Sequence, residues 1–114
     1  MTNQVPYDIN AEKAICGALL IDGEVINDIR TIIKPDDFFS EENSIIYSAA
    51  LSLTNRGEII NPITIARELT SSGLLAKIGG NSYINQLISE ALTPYEIKSY
   101  ARVVKNCSIS RKVI

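Results

Sequence analysis

Asp36, Asp37, Glu41 and Glu42 form the densest grouping in this chain of side chains able to do chemistry, four carboxylates within seven residues. Such a group could hold a divalent cation. The same spacing arises when a tight turn feeds a helix, because the helix dipole favours anions in the first turn, and solvated helix-start acids are the preferred account. There is no histidine anywhere in the sequence. That removes the commonest general base and the commonest zinc ligand. No Gly-x-x-x-x-Gly-Lys-Ser/Thr run cradles a phosphate, and Gly79-Gly80 lacks the lysine and the preceding strand, so it reads as a turn. Ser40 and Ser82 have no base at motif spacing and read as helix caps. Cys16 and Cys107 sit in apolar helical patterns without metal-ligand spacing and read as small buried hydrophobes in a reducing compartment. We expect no catalytic residue, no cofactor site and no metal site in this chain.

The remaining electrostatic feature is a stripe. At about 100° per residue, Lys98, Arg102 and Lys105 fall within roughly 60° of one another, away from the apolar arc of their helix. A solvated outer face explains it, and so does contact with an acidic partner or a nucleic-acid backbone. The charge is unevenly spread. Up to Gly57 the acids Asp8, Glu12, Asp22, Glu24, Asp28, Asp36, Asp37, Glu41 and Glu42 outnumber Lys13, Arg30, Lys34 and Arg56. From Pro94 onward Glu96 faces Lys98, Arg102, Lys105, Arg111 and Lys112. Cations near a helix C-terminus account for part of this. The seven aromatics are not interleaved with Lys or Arg as a platform for single strands would require.

The elements that must position these residues read as all-α. At 114 residues, 46% apolar and 21% charged, the chain is one domain with an ordinary core. A net charge of −2 supplies no global field for nucleic acid. No apolar run reaches the roughly 20 residues of a membrane span, and the polar N-terminus is no signal peptide, so a cytoplasmic location without membrane contact is expected. Met1 to Tyr7 reads as an extended arm, with Asp8 capping a helix to about Ile21. In that helix Ala11, Ala14, Ile15, Ala18 and Leu19 follow the helical period. Gly17 and the alanines allow close approach of a neighbour within the head.

Val25, Ile26, Ile29, Ile32 and Ile33 predict a second helix stopped before Pro35, and the turn Asp36 to Phe39 should place one or both phenylalanines in the core. Ser40 starts a third helix with apolar face Ile45, Ile46, Ala49, Ala50 and Leu53, ended by Gly57. Asn61-Pro62 starts a fourth, with Ile63, Ala66 and Leu69 as core positions and a stop at Ser72-Gly73.

A compact head of about four short helices over 1–78 should therefore lead into a helical hairpin over 79–114. Ser82 or Asn81 caps the first hairpin helix, and a Thr93-x-x-Glu96 capping box with Pro94 opens the second. The apolar arc spans roughly 140° in the first (Tyr83, Ile84, Leu87, Ile88, Ala91). It spans roughly 160° in the second (Ile97, Tyr100, Ala101, Val103, Val104, Cys107, Ile114). Both are wider than a two-helix seam needs. We read the surplus as an assembly surface centred on Tyr83, Leu87, Tyr100, Val103, Val104 and Cys107. Because Ser108 to Ile114 holds neither Gly nor Pro, we expect the last helix to continue into a linker of a longer parent protein.

The block Asn10-Ala11-Glu12-Lys13-Ala14-Ile15-Cys16-Gly17-Ala18-Leu19-Leu20-Ile21-Asp22 resembles the opening of the N-terminal domain of bacterial replicative helicases of the DnaB type. Asp37-Phe38-Phe39 with Ile46-Tyr47 is similar to that family's next block. Thr64, Gly73-Leu74-Leu75 and Ile78 to Leu87 are similar to its third, and Tyr100-Ala101-Arg102-Val103-Val104 to its last. The resemblance runs in order over nearly the whole chain. Asn10 stands where an acid is usual, Asn43 where a histidine is common, and Asn61-Pro62 where an Asp often precedes the helix, which points to a divergent member carried by a phage, plasmid or prophage.

The resemblance implies a non-catalytic assembly and docking domain. Its hairpins would pair between subunits of a hexameric ring, forming a collar that receives primase and, in some systems, a helicase loader. It further implies that ATP, Mg2+ and DNA are handled by the parent's C-terminal ATPase ring during DNA replication, and that Tyr83 matches a family aromatic associated with partner contact. Two other readings stay open: a single-strand-binding helical module using Lys98, Arg102 and Lys105, and the helicase-binding domain of a primase, against which the Asn10–Asp22 block argues.

Overall fold

Helix α1 (Ile9–Ile21) is apolar on nearly every side, and the fold is the arrangement that buries its central part. From Ala11 to Leu20 only Lys13 reaches solvent, as expected of a helix hydrophobic all round. The computed structural model describes residues 5–91 and 96–113. Helices α2 (Ile26–Ile29), α3 (Glu41–Asn55), α4 (Pro62–Ser71), α5 (Gly80–Ser89) and α6 (Ile97–Lys112) follow, with 3-10 turns at Gly23–Val25, Pro35–Asp37 and Ala76–Ile78. Among the described residues there is no strand, in keeping with the all-α expectation. α3, α5 and α6 all rest on α1, α4 packs on α3 and α5, and α2 packs beneath α6.

Local sequence fixes most helix ends. Asp8 accepts from the Ala11 N–H at 3.0 Å, and Ser40 Oγ accepts from the Asn43 N–H at 3.3 Å. Asn61 Oδ1 accepts from both Ile63 and Thr64 N–H, while Thr64 Oγ1 accepts from the Asn61 N–H in return. Gly57 and Gly73 adopt φ of +76° and +74°. Each closes a paired C-terminal motif, in which the Glu58 N–H reaches Leu53 O and the Leu74 N–H reaches Leu69 O, both at 2.8 Å.

Several expectations change. The two closing helices are not packed mainly on each other; they lie against α1, which supplies the core both need. The neighbour admitted by Gly17 is accordingly α5 rather than another part of the head, because a Cβ at Gly17 would sit 2.7 Å from the Leu87 carbonyl oxygen. The second helix is a 3-10 turn followed by a single α-helical turn, shorter than the apolar spacing implied. Ile63 is exposed and Ile65 is buried with Leu69. Ile63 stands about 200° from Ile65 on the wheel, so only one of the two can face the core. Neither Asn81 nor Ser82 caps α5, which starts one turn earlier at Gly80 with Gly79 before it in the left-handed region. Phe38 enters the core against Tyr47 while Phe39 stays half exposed. The split at Leu92 to Pro94, the capping box begun by Thr93, the outer part of the N-terminal arm and Ile114 lie outside the described residues.

Candidate partner-binding face

Placing α5 and α6 against α1 decides which of the expected interface residues remain available. Leu87 and Val104 are core residues, 0% and 2% exposed, and are corrected from surface to interior. Ile84, Ile97 and Ala101 are buried with them in one continuous core that also contains Ile15, Leu19 and Tyr47. Most of the wide apolar arc is thus covered by the chain itself. On α6 the buried set is Ile97, Ala101, Val104 and Ser108, at spacings of four, three and four. Its centre is rotated by roughly 50° from that of the apolar arc. The rotation leaves Tyr100 and Cys107 half buried and Val103 exposed at 38%. These three share one edge of α6, within roughly 60° on the wheel.

Tyr83 is half buried and held from below. Its hydroxyl donates to Asn43 Oδ1 at 2.5 Å, and burial pushes its phenol above the ordinary range. Asn43 Nδ2 donates to Glu12 Oε1 at 3.2 Å. The Glu12 carboxylate, 1% exposed, also accepts from the Phe39 N–H at 2.7 Å and the Ser40 N–H at 3.1 Å. It thereby satisfies two part-buried donors just ahead of α3. One chain of hydrogen bonds therefore ties α1, α3 and α5 and sets the position of the Tyr83 ring. Sequence reasoning missed Glu12 as a structural carboxylate. The signal was present, since Glu12 lies at helical spacing with Ile15, Cys16 and Leu19 on a buried face.

The carboxylate cluster is divided. Glu41 and Glu42 are exposed in the first turn of α3, as expected. Asp37 is not a solvated acid: it is 1% exposed. Asp37 accepts from the Lys34 N–H at 2.8 Å and the Ser108 hydroxyl at 2.7 Å, and it pairs with Lys105 at 3.4 Å and Lys112 at 3.5 Å. Burial raises its pKa, but the Lys34 N–H, the Ser108 hydroxyl and the Lys105 ammonium outweigh burial and hold it below the usual carboxylate value. Among the described residues no group of His, Cys, Asp or Glu is disposed to hold a metal ion.

The basic stripe is divided in the same way. Lys105 turns inward to Asp37, whereas Lys98 and Arg102 are exposed. Lys105 and Lys112 of the base-rich last helix thus pair with Asp36 and Asp37 of the acid-rich head. Cys16 is fully buried, with its thiol pKa pushed far up by burial. Cys107, expected to be buried, keeps partial exposure.

Residues 4–106 match the family model described as the DnaB-like helicase N terminal domain. The chain belongs to that family. It is 34% identical over 109 residues to the replicative DNA helicase DnaC of Bacillus subtilis, covering 96% of this chain and 24% of that protein. It is 33% identical to the replicative DNA helicase DnaB of Mycobacterium leprae, covering 97% of this chain and 18% of that one. The chain therefore spans about a quarter or less of these curated relatives. The crystal structure of the N-terminal domain of DnaB helicase from Mycobacterium tuberculosis superposes with a TM-score of 0.92 at 34% identity, over 96% of this chain and 80% of that one. The N-terminal domain of DnaB helicase from Helicobacter pylori, described together with its interactions with primase, superposes with a TM-score of 0.73 at 20% identity and shares the fold. It covers 91% of this chain and 80% of that one. Among the described residues no helix is long and apolar enough to cross a membrane.

Proposed function

We propose that this chain is the assembly and docking domain of a replicative DNA helicase, working in the cytoplasm and joining subunits of a hexameric ring while offering a face to primase. The observation that carries the proposal is the family match across residues 4–106. It is supported by an apolar edge on α6, Tyr100, Val103 and Cys107, that the chain's own core covers only in part. In this reading the edge of α6 meets a second subunit, and Tyr83, set by Asn43 and Glu12, belongs to the face that meets primase or a helicase loader. ATP, Mg2+ and DNA are the business of the rest of the parent protein. The side chains described here hold the fold and form surfaces.

Calorimetric titration with the helicase-binding domain of a cognate primase tests the docking role. Binding by the native chain, with a Tyr83→Ala variant weakened at least tenfold and still folded, is the expected result. Equal affinity for both would remove Tyr83 from the face, and no heat with any primase fragment would count against docking altogether.

A further inference from the structure

Helix α6 is held to the molecule in two different ways along its length. Through Val104 it is anchored by buried apolar side chains, Ile97, Ala101 and Val104. Beyond Val104 the buried residue is Ser108, and the remaining attachments are polar. Lys105, Ser108 and Lys112 converge on the Asp37 carboxylate, and Lys112 also approaches Asp36 at 4.0 Å. Arg111 donates to the Asp37 carbonyl at 2.6 Å and to the Pro6 carbonyl at 3.0 Å. Its guanidinium lies 5.7 Å from the centre of the Phe39 ring, which is stacked at 4.2 Å on Tyr7. Two turns of helix, the N-terminal arm and the turn before α3 are thus clasped around one buried anion.

We propose that these last two turns form an electrostatic latch, hinged near Val104, which can open without dislodging the apolar half of α6. Apolar packing fixes Ile97 to Val104 on α1 and α2 independently of charge. The segment from Lys105 to Lys112 has no fully buried apolar side chain, because Cys107 is only half buried and Ile109 is half exposed. Among the described residues the cations paired with the Asp37 carboxylate, Lys105 and Lys112, both come from this segment, so three of its polar attachments, counting the Ser108 hydroxyl, rest on that one charge. Removing that charge leaves two ammonium groups facing a neutral site and takes away their reason to stay. The inference concerns the domain itself and does not depend on the helicase assignment.

Amide hydrogen exchange read residue by residue tests it, with Asp37→Asn in the full chain. The latch predicts slow exchange at Cys107 to Arg111 in the native protein. In the variant those amides should exchange about tenfold faster or more, while Ala101 to Val104 and α1 stay within about twofold. Acceleration spread evenly over the chain would make Asp37 a general stability residue and overturn the latch. So would unchanged exchange at Cys107 to Arg111, or native amides there already as fast as an unstructured peptide. Should Asp37→Asn not fold, the double variant Lys105→Met with Lys112→Met keeps the stems, removes the two cations and must give the same local pattern.

Discussion

Replacing Gly17 by alanine sets two opposing effects against each other, and the structure decides the sign. In an exposed helix the change would stabilise by about 1 kcal/mol, the propensity difference between the two residues. Here the new Cβ would stand 2.7 Å from the Leu87 carbonyl oxygen and 3.0 Å from the Ala91 Cβ. The first contact is with backbone, so no side-chain rotation relieves it. α5 has to shift away from α1, straining the packing of Ile84 and Leu87, which are 2% and 0% exposed. Overpacking of this kind costs about 1–3 kcal/mol. Because the clash is with backbone, the upper part of that range applies, about 2–3 kcal/mol, and subtracting the propensity gain of about 1 kcal/mol leaves a net loss of about 1–2 kcal/mol. Urea unfolding followed by circular dichroism should place the midpoint of the variant lower by about 0.5–1 M. Gly17→Val should lose more, because branching adds bulk at the same contact. A Gly17→Ala variant more stable than the native chain would mean that α5 does not sit where the structure puts it.

Leu87→Asp and Val104→Asp each bury an unpaired carboxylate, costing several kcal/mol and a large share of the stability of a domain this size; an unchanged urea midpoint would contradict their burial. Tyr83→Phe removes the donor to Asn43 Oδ1 and should cost about 1 kcal/mol without changing the helical spectrum. The depressed pKa of Asp37 means that its contribution is fully present above the unfolded value of about 4 and is lost as pH falls through the lower folded value. Native and Asp37→Asn proteins should therefore differ by about 1.5–3 kcal/mol near pH 7 and converge as the pH falls through the lowered folded value. The groups facing Asp37 are Lys105, Lys112 and Arg111 from α6, Asp36 and the Lys34 N–H from its own turn, and Tyr47 from α3.

The starts of α1, α3 and α4 were legible because each is a local event, a capping side chain and the N–H groups two or three residues on. Asp8, Ser40 and Asn61 could be identified from sequence for that reason, and Gly57 and Gly73 likewise as stops. The two buried carboxylates were not. An acid is assigned to the surface by default, and what overrides the default for Asp37 is Ser108, 71 residues away. Glu12 is similar: its partners are Phe39 and Ser40, just ahead of α3, and Asn43 within it. Apolar width misled about the assembly surface for a related reason. The arc on α6 includes Val103 and leaves out Ser108, but Ser108 is buried with its hydroxyl on Asp37 and Val103 is exposed, so the buried face is rotated from the apolar one. The narrow edge of Tyr100, Val103 and Cys107 is what that rotation exposes.

Self-association of the chain bears most directly on the account. An edge of three side chains is small beside the roughly 1,200 Å2 that a stable interface buries, so the contact in isolation should be weak. Sedimentation equilibrium from low to high micromolar should show the native chain shifting from monomer towards dimer. Val103→Asp, substituted at an exposed position, should stay folded and monomeric over the same range. A native chain that remains strictly monomeric at high micromolar, or a Val103→Asp variant that associates as well as the native chain, would contradict it.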